Sequence, residues 1–353
     1  MLFKNPYFDG DDVLDMPLEV PFPSVDVQTP LTLISRCPDH TPTPLVDARN
    51  LAREKGVSSL FLKDETGRMN LGSFKALGAA YVIAHEADQA APIDVEQALK
   101  GRVFVTASAG NHGLSVAAGA QIFGAKSVIY LAETVPAGFA DRLREKGAEV
   151  RVEGVDYEAS MAAAANAADR EGFTLLSDSS WDGYTALPHR LMEGYLVSAH
   201  EIVEQMPNPP THVFLQAGVG GLAGAMAAYF RERWHDSPVI VVVEPTYAPA
   251  LQASIDAGKS VFAPGPVSNM GRLDCKEPSL IALKGLARDS NFFLTIDDDL
   301  ASETTKRLAD EGIHSTPSGV AGLAGFLAGC HFPELEIDQD SQILCIISEG
   351  ADA

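Results

Sequence analysis

Lys75 stands in the run Asn70-Leu71-Gly72-Ser73-Phe74-Lys75, directly ahead of an apolar-periodic stretch that reads as a helix. Ser73 is the expected N-cap, which puts the lysine in the first helical turn. In an α/β protein such a residue projects toward the carboxyl ends of strands, where ligands bind. A lone Ser-Phe-Lys is a surface lysine, but three further segments change that. Ser108-Ala109-Gly110-Asn111-His112-Gly113 lies between a strand pattern and an Ala/Gly-rich helix. Its small residues let backbone approach a flat ring, its N–H groups can bind a carboxylate, and Asn111 can donate to a phenolate oxygen. Gly218-Val219-Gly220-Gly221-Leu222 follows a strand and opens a helix, where backbone N–H groups converge on phosphate. Ser348 ends the apolar run Ile343–Ile347 and can meet a ring nitrogen. Together these are the parts that a lysine forming a Schiff base with pyridoxal phosphate requires.

Each segment also has a plainer interpretation. His112 either satisfies backbone groups or moves a proton. Ser348 alone is a turn serine; opposite a pyridine nitrogen, its hydroxyl cannot hold that nitrogen protonated as an aspartate would, so the ring becomes a weaker electron sink. That disfavours transamination and suits elimination at the β-carbon. The glycine loop could serve a dinucleotide fold, with Glu244 on the ribose. However, Gly218, Gly220 and Gly224 miss the final Gly-x-Gly-x-x-Gly spacing by one, and that alternative leaves Lys75 and Asn111 without a task.

The elements that must position these residues alternate from about Leu60 onward, short apolar strands with helical patterns, the mark of α/β architecture. Strands are expected at Ser59–Lys63, Arg102–Thr106, Ser127–Leu131, Glu149–Val152, Thr174–Ser177, His212–Gln216, Val239–Val243 and Ile343–Ile347. Helices are expected at Phe74–Ala87, Leu114–Phe123, Ala137–Lys146, Tyr157–Glu171, His189–Gln205, Leu222–Trp234 and Leu300–Glu311. The first forty residues, rich in Pro and Asp, read as a segment wrapping the surface or a partner subunit.

A length of 353 residues exceeds what one core usually fills and suggests two lobes. The net charge of −22 argues against nucleic acid and anionic membranes as partners. Cys37, Cys275, Cys330 and Cys345 have no metal-type spacing, so no metal is expected; Cys330 and Cys345 read as core residues. No basic-then-apolar leader and no apolar run of ~20 residues is seen, and the expected location is cytoplasmic.

From Thr41 to Gly350 the chain resembles the fold-type II pyridoxal phosphate enzymes, the tryptophan synthase β family. Thr41-Pro42-Thr43-Pro44-Leu45 resembles that family's opening segment, and Phe61-Leu62-Lys63-Asp64-Glu65 its strand before the lysine loop. Ser108–His112 is similar to the substrate loop of serine/threonine dehydratases. Asp64-Glu65-Thr66-Gly67-Arg68-Met69, Ser177–Tyr184 and Met270-Gly271-Arg272-Leu273-Asp274-Cys275 lean toward diaminopropionate ammonia-lyases. The resemblance implies a two-domain α/β fold, each domain an open twisted mostly parallel sheet flanked by helices. It puts a large cofactor domain at 1–78 and 191–353, a small substrate domain at 79–190, and the chain in a homodimer.

By the same resemblance Lys75 carries the cofactor, Asn111 meets its 3-hydroxyl, Gly218, Val219, Gly220, Gly221 and Leu222 hold phosphate, and Ser348 faces the nitrogen. Ser108, Ala109, Gly110 and His112 bind the substrate carboxylate. Asp178 matches an acidic residue near the substrate, with a helix N-cap as its alternative role. The implied activity is α,β-elimination on a small L-amino acid, giving a 2-oxo acid and ammonia. The leading substrate is 2,3-diaminopropionate; serine/threonine, 3-hydroxyaspartate or another anionic β-substituted alanine follow. A β-replacement synthase of the cysteine synthase kind is a further alternative. Two departures bear on substrate. Ala109 replaces an aspartate that serves the D-isomer in that branch, which implies L-selectivity or a single-base mechanism relying on Lys75. Arg272 and Lys276 stand where small residues are usual, which would favour an anionic β-substituent.

Overall fold

The structure, a computed structural model, describes every residue except 9, 11, 12, 91–93, 136, 352 and 353. Eleven strands form two sheets: β1 (Leu2–Lys4), β2 (Leu45–Asp47), β3 (Ser59–Asp64), β4 (Val103–Ala107), β5 (Lys126–Leu131), β6 (Glu149–Val152), β7 (Thr174–Leu175), β8 (His212–Gln216), β9 (Val239–Pro245), β10 (Phe292–Ile296) and β11 (Gln342–Ile347). The larger sheet has the order β1-β10-β9-β8-β11-β3-β2 and the smaller the order β6-β5-β4-β7. Within the larger sheet the five inner strands run parallel, and β1 and β2 close its edges antiparallel. All pairings of the smaller sheet are parallel.

This register decides where chemistry can occur. Strands β8, β11 and β3 are neighbours, so the glycine loop, Ser348 and the segment leading to Lys75 leave the sheet side by side at its carboxyl end. In the smaller sheet β4 and β7 are neighbours, so Ser108–His112 and Asp178 also leave together. The buried stretches 213–215, 240–243 and 343–347 of the inner strands are continuous apolar runs, as strands covered on both faces require. The helices Lys75–Gln89 and Ala186–Gln205 pack against each other. Their backbones come into contact: a Cβ on Gly78 would stand 2.7 Å from Tyr195, and one on Gly194 would stand 2.5 Å from the Leu77 carbonyl oxygen.

The eight expected strands are present, with ends shifted by up to two residues, as are the seven expected helices, within about three residues. Ser73 departs from expectation. The residue capping the helix is Phe74, already in the right-handed helical region, and no side chain caps that end. The Ser73 hydroxyl is buried without a hydrogen-bond partner, because the serine's backbone pairs antiparallel with Glu349. The amino-terminal forty residues also do more than wrap: β1 joins the sheet, and the helix Gln28–Ile34 packs on the helix that begins at Lys75. Strands β1, β2 and β10 went unanticipated. The first two are three residues each, and β10 carries Thr295 within Phe292–Ile296, a short run without period-2 alternation.

Candidate active site

Lys75 opens its helix from a loop that is bent by force. Met69 and Asn70 have φ of 49° and 55°, and Gly72 has φ of 78°. For the two non-glycine residues the left-handed region costs of order 1–3 kcal/mol each, sustained only when the surroundings fix it. Arg68 fixes it. Its guanidinium, fully buried, donates from Nε to Glu65 (2.7 Å), from Nη1 to Glu201 (2.8 Å) and from Nη2 to Glu65, Glu201 and Thr43 at 2.8, 2.7 and 2.9 Å. Lys63 Nζ donates to Glu201 at 2.6 Å and to the Thr43 carbonyl at 2.8 Å. Burial would raise the Glu65 carboxyl, but Arg68 outweighs it and brings it down to about 2. Downstream, the Phe74 N–H donates to the Ser348 carbonyl (3.1 Å) and the Gly350 N–H to that of Gly72 (2.9 Å). The lysine is thereby fastened to the end of β11.

The Lys75 ammonium donates to Asp178 Oδ2 in a short contact and lies 5.3 Å from the Phe74 ring centre. Burial alone would lower the lysine's proton affinity and raise that of the aspartate. Their mutual attraction reverses both, so Lys75 is held protonated and Asp178 ionised. Asp178 caps no helix; the cap of the next helix is Thr185. Its loop is pinned on both sides. Tyr184 Oη accepts from the Ser177 N–H (3.1 Å) and donates to the Leu175 carbonyl (2.8 Å), and Ser180 bonds Ser279 through its N–H at 3.1 Å and its hydroxyl at 2.7 Å.

Ser279 also ties down the glycine loop, donating its N–H to the Val219 carbonyl at 2.9 Å. Gly220 has φ of +96°, where a side chain would be strained; its Cβ would also meet Ala282 at 2.9 Å. The helix Gly221–Trp234 begins there with Leu222 buried in the core behind it. A Cβ on Gly221 would lie 3.9 Å from the Asp178 carbonyl oxygen, and one on Gly218 3.0 Å from Cys275 Sγ. The glycine loop, Asp178 and the segment Arg272–Cys275 therefore border one space. Burial pushes the Cys275 thiol up to about 12, with Asp178 adding to the shift.

On the small-sheet side, Ser108 Oγ accepts from the N–H groups of Gly110 (3.2 Å) and Gly113 (3.1 Å), drawing the loop into a tight turn. Asn111 and His112 open the helix, where N–H groups lack intrahelical acceptors. Ala109 packs against the core. His112 Nε2 bonds the Leu176 carbonyl at 2.7 Å, while Nδ1 is buried without a partner. Burial lowers the His112 proton affinity against the opposing pull of Asp178, so the ring is neutral and anchors backbone. Asn111 Nδ2 donates to Glu349 Oε2 at 2.5 Å, leaving Oδ1 buried and unpartnered. Arg272 lies across Gly110, with Nε 3.1 Å from where a Cβ would stand, and 3.9 Å from Glu349.

Lys276 does not join Arg272. Its ammonium is spent on Asp274 (2.5 Å) and on the carbonyls of Tyr247 (2.8 Å) and Pro266 (3.0 Å), which fix the loop. Glu244, the ribose ligand of the dinucleotide alternative, accepts instead from the N–H groups of Leu251 and Gln252 at 2.7 and 2.8 Å and holds a helix start. Glu349 and the Arg68 network went unassigned in the sequence. Acidic residues after a strand carry no signal of their own, and Glu201 is 133 positions from Arg68.

The residues present suit a flat, phosphorylated aldehyde: a partnered amine, a side-chain-free cradle at a helix start, and a buried amide, Asn111, with an N–H donor held in place by Glu349. Residues 37–349 match the family profile described as "Pyridoxal-phosphate dependent enzyme", and the chain belongs to that family.

Within the family, it is 31% identical to the diaminopropionate ammonia-lyase of Salmonella typhimurium over 91% of this chain and 88% of that protein. It is 31% identical to the L-serine dehydratase/L-threonine deaminase of Mus musculus over 81% of this chain and 82% of the relative. The crystal structure of Escherichia coli diaminopropionate ammonia-lyase "in complex with aminoacrylate-PLP azomethine reaction intermediate" superposes with a TM-score of 0.88 at 30% identity, covering 99% and 93% of the two chains. The fold is that of the fold-type II enzymes. Among the described residues no helix is long and apolar enough to cross a membrane.

Proposed function

We propose that this enzyme is a carbon–nitrogen lyase that eliminates the β-amino group of 2,3-diaminopropionate, consuming one water and yielding pyruvate and two molecules of ammonia. One observation carries the proposal: the ammonium of Lys75 is paired with the carboxylate of Asp178 where five strand ends meet. Lys75 would hold the cofactor, the glycine loop Gly218–Leu222 its phosphate, Asn111 its ring hydroxyl and Ser348 its ring nitrogen. When bound, pyridoxal phosphate delocalises the electron pair left at Cα after proton loss. The chain's own groups do the rest. Ser108, Gly110 and the open N–H groups of Asn111 and His112 receive the α-carboxylate. Lys75 Nζ, once released in its uncharged form, takes the α-proton, and Asp178 stabilises the resulting ammonium, then directs that proton toward the departing β-nitrogen. Asp178 also offers a carboxylate to a cationic β-ammonium. Arg272, the cation that would prefer an anionic β-group, faces Glu349, which offsets its charge.

With Ala109 in place of an acid, Asp178 and Lys75 act on one face, so the L-isomer is the expected substrate. Serine and threonine, losing water, are the second reading, favoured by the dehydratase-like Ser108 loop. The four cysteines are free, which suits a reducing compartment, the cytoplasm. Val13 and Leu18, 88% and 94% exposed, suit burial in a homodimer that light scattering would detect. The test is steady-state release of pyruvate and ammonia from L- and D-2,3-diaminopropionate, serine and threonine, with borohydride reduction and peptide mapping of the holoenzyme. Label on a residue other than Lys75, or no turnover of any of these, refutes the proposal.

A further inference from the structure

A buried carboxylate is costly unless it is paired, and Glu349, 3% exposed, lies in the site without a role in the chemistry above. Its Oε2 accepts from Asn111 Nδ2 at 2.5 Å, with Arg272 Nε 3.9 Å away, and its Oε1 accepts from Thr316 Oγ1. Thr316 is itself held, accepting from the Gly319 N–H at 3.0 Å. The Glu349 backbone is equally fixed: its carbonyl accepts from Ser315 Oγ at 2.5 Å, and it pairs antiparallel with Ser73, two positions before Lys75. Glu349 therefore joins the lysine loop, the Asn111 loop and the 315–319 turn.

The consequence falls on Asn111. A side-chain amide has two N–H donors on one end and an acceptor on the other, and the two ends are nearly equal in shape. Placed beside an anionic ring oxygen, the amide helps in one orientation and repels in the other. With one N–H committed to an anchored carboxylate, the amide cannot turn over, and its second N–H keeps a fixed direction.

We propose that Glu349 is a positioning residue that locks the Asn111 amide so that a donor N–H, and not the carbonyl oxygen, is presented to the cofactor's ring oxygen. This rests on the reading of Asn111 as the ring-oxygen partner. The experiment measures the dissociation constant of pyridoxal phosphate by titrating cofactor-stripped full-length protein. It compares the wild type with Glu349→Gln, Glu349→Ala, Asn111→Ala and the Asn111→Ala/Glu349→Ala double variant. Gln keeps an acceptor oxygen and should rescue, staying within about threefold of wild type, whereas Ala should weaken binding roughly tenfold, the value of one well-placed hydrogen bond. In the Asn111→Ala background the Glu349→Ala loss should shrink to about twofold or less, because coupled residues do not add. The absorbance band of the bound cofactor should move in Glu349→Ala and hold in Glu349→Gln. If Glu349→Ala fails to fold, Thr316→Val, which removes the carboxylate's second anchor, replaces it in the same cycle with a loss of about threefold expected. Losses that multiply independently of Asn111, or equal losses for Gln and Ala, overturn the proposal. Wild-type protein that binds no pyridoxal phosphate overturns the underlying reading as well, so the two failures are told apart.

Discussion

Replacing Asp178 by Asn tests the site through two quantities that should move in opposite directions. The substitution is nearly isosteric and removes the anion in contact with the Lys75 ammonium. Unit charges ~4 Å apart attract by about 4 kcal/mol at an effective dielectric near 20, equivalent to roughly three pKa units. The side chains are 21% and 18% exposed, so solvent discounts part of that, leaving about two units. Asp178 raises the Lys75 pKa above its ordinary value, so the amine is charged below that point, and the variant's amine sheds its proton about two pH units earlier. Only the uncharged amine attacks an aldehyde. The cofactor-stripped variant should therefore capture pyridoxal phosphate up to ~100-fold faster near neutral pH, a rise measurable by stopped-flow absorbance. Turnover should fall instead, by about 10²–10⁴, because the carboxylate that stabilises the protonated Lys75 and directs its proton toward the leaving group is gone. Unchanged capture kinetics together with kcat within threefold of wild type would refute the assignment of Asp178 to proton handling.

Three other perturbations probe separate parts. Arg68→Ala strands the buried carboxylates Glu65 and Glu201 with Lys63 as their main remaining cation and should cost about 3–5 kcal/mol. For 353 residues that is a fall in Tm of roughly 5 °C, and a fall under ~1 °C by calorimetry would contradict the network's role. Because Arg68 holds the Glu65 carboxyl near 2, well below 4.5, this acid's contribution to stability is complete above pH ~4.5 and is lost as pH falls toward 2. Urea midpoints measured across that window should decline in wild type and flatten in Glu65→Gln. Arg272→Ala should raise KM for 3-hydroxyaspartate or cysteate about threefold more than for serine, the worth of a partly exposed cation already facing Glu349; equal losses would remove the argument for a cationic contribution to specificity.

The sequence declared the chemistry in its local patterns. Lys75 before a helix, glycines between a strand and a helix at 218–221, and Asn111 at a helix start are each short-range signals, set by capping, glycine freedom and hydrophobic period. The inner strands other than β10 were legible for the same reason, since burial on both faces leaves an apolar run. The N-cap at Ser73 was misjudged because a tertiary bridge to Glu349 overrides local capping preference. The edge strands β1 and β2 were missed because three residues are too few to show a period.

Which side chains meet was a matter for the tertiary structure alone. Nothing near Lys75 in the chain announces Asp178, 103 positions away, or links Asn111 to Glu349 across 238. Those pairs exist because parallel strands deliver their carboxyl ends to one edge whatever their order in sequence. The charges of Arg272 and Lys276 looked alike in the sequence, yet one faces the site and the other is consumed by Asp274 and the carbonyls of Tyr247 and Pro266. Residue type fixes what a group can do, but the partners that set its protonation and direction come from distant segments, and only the packed fold brings them within a few ångströms.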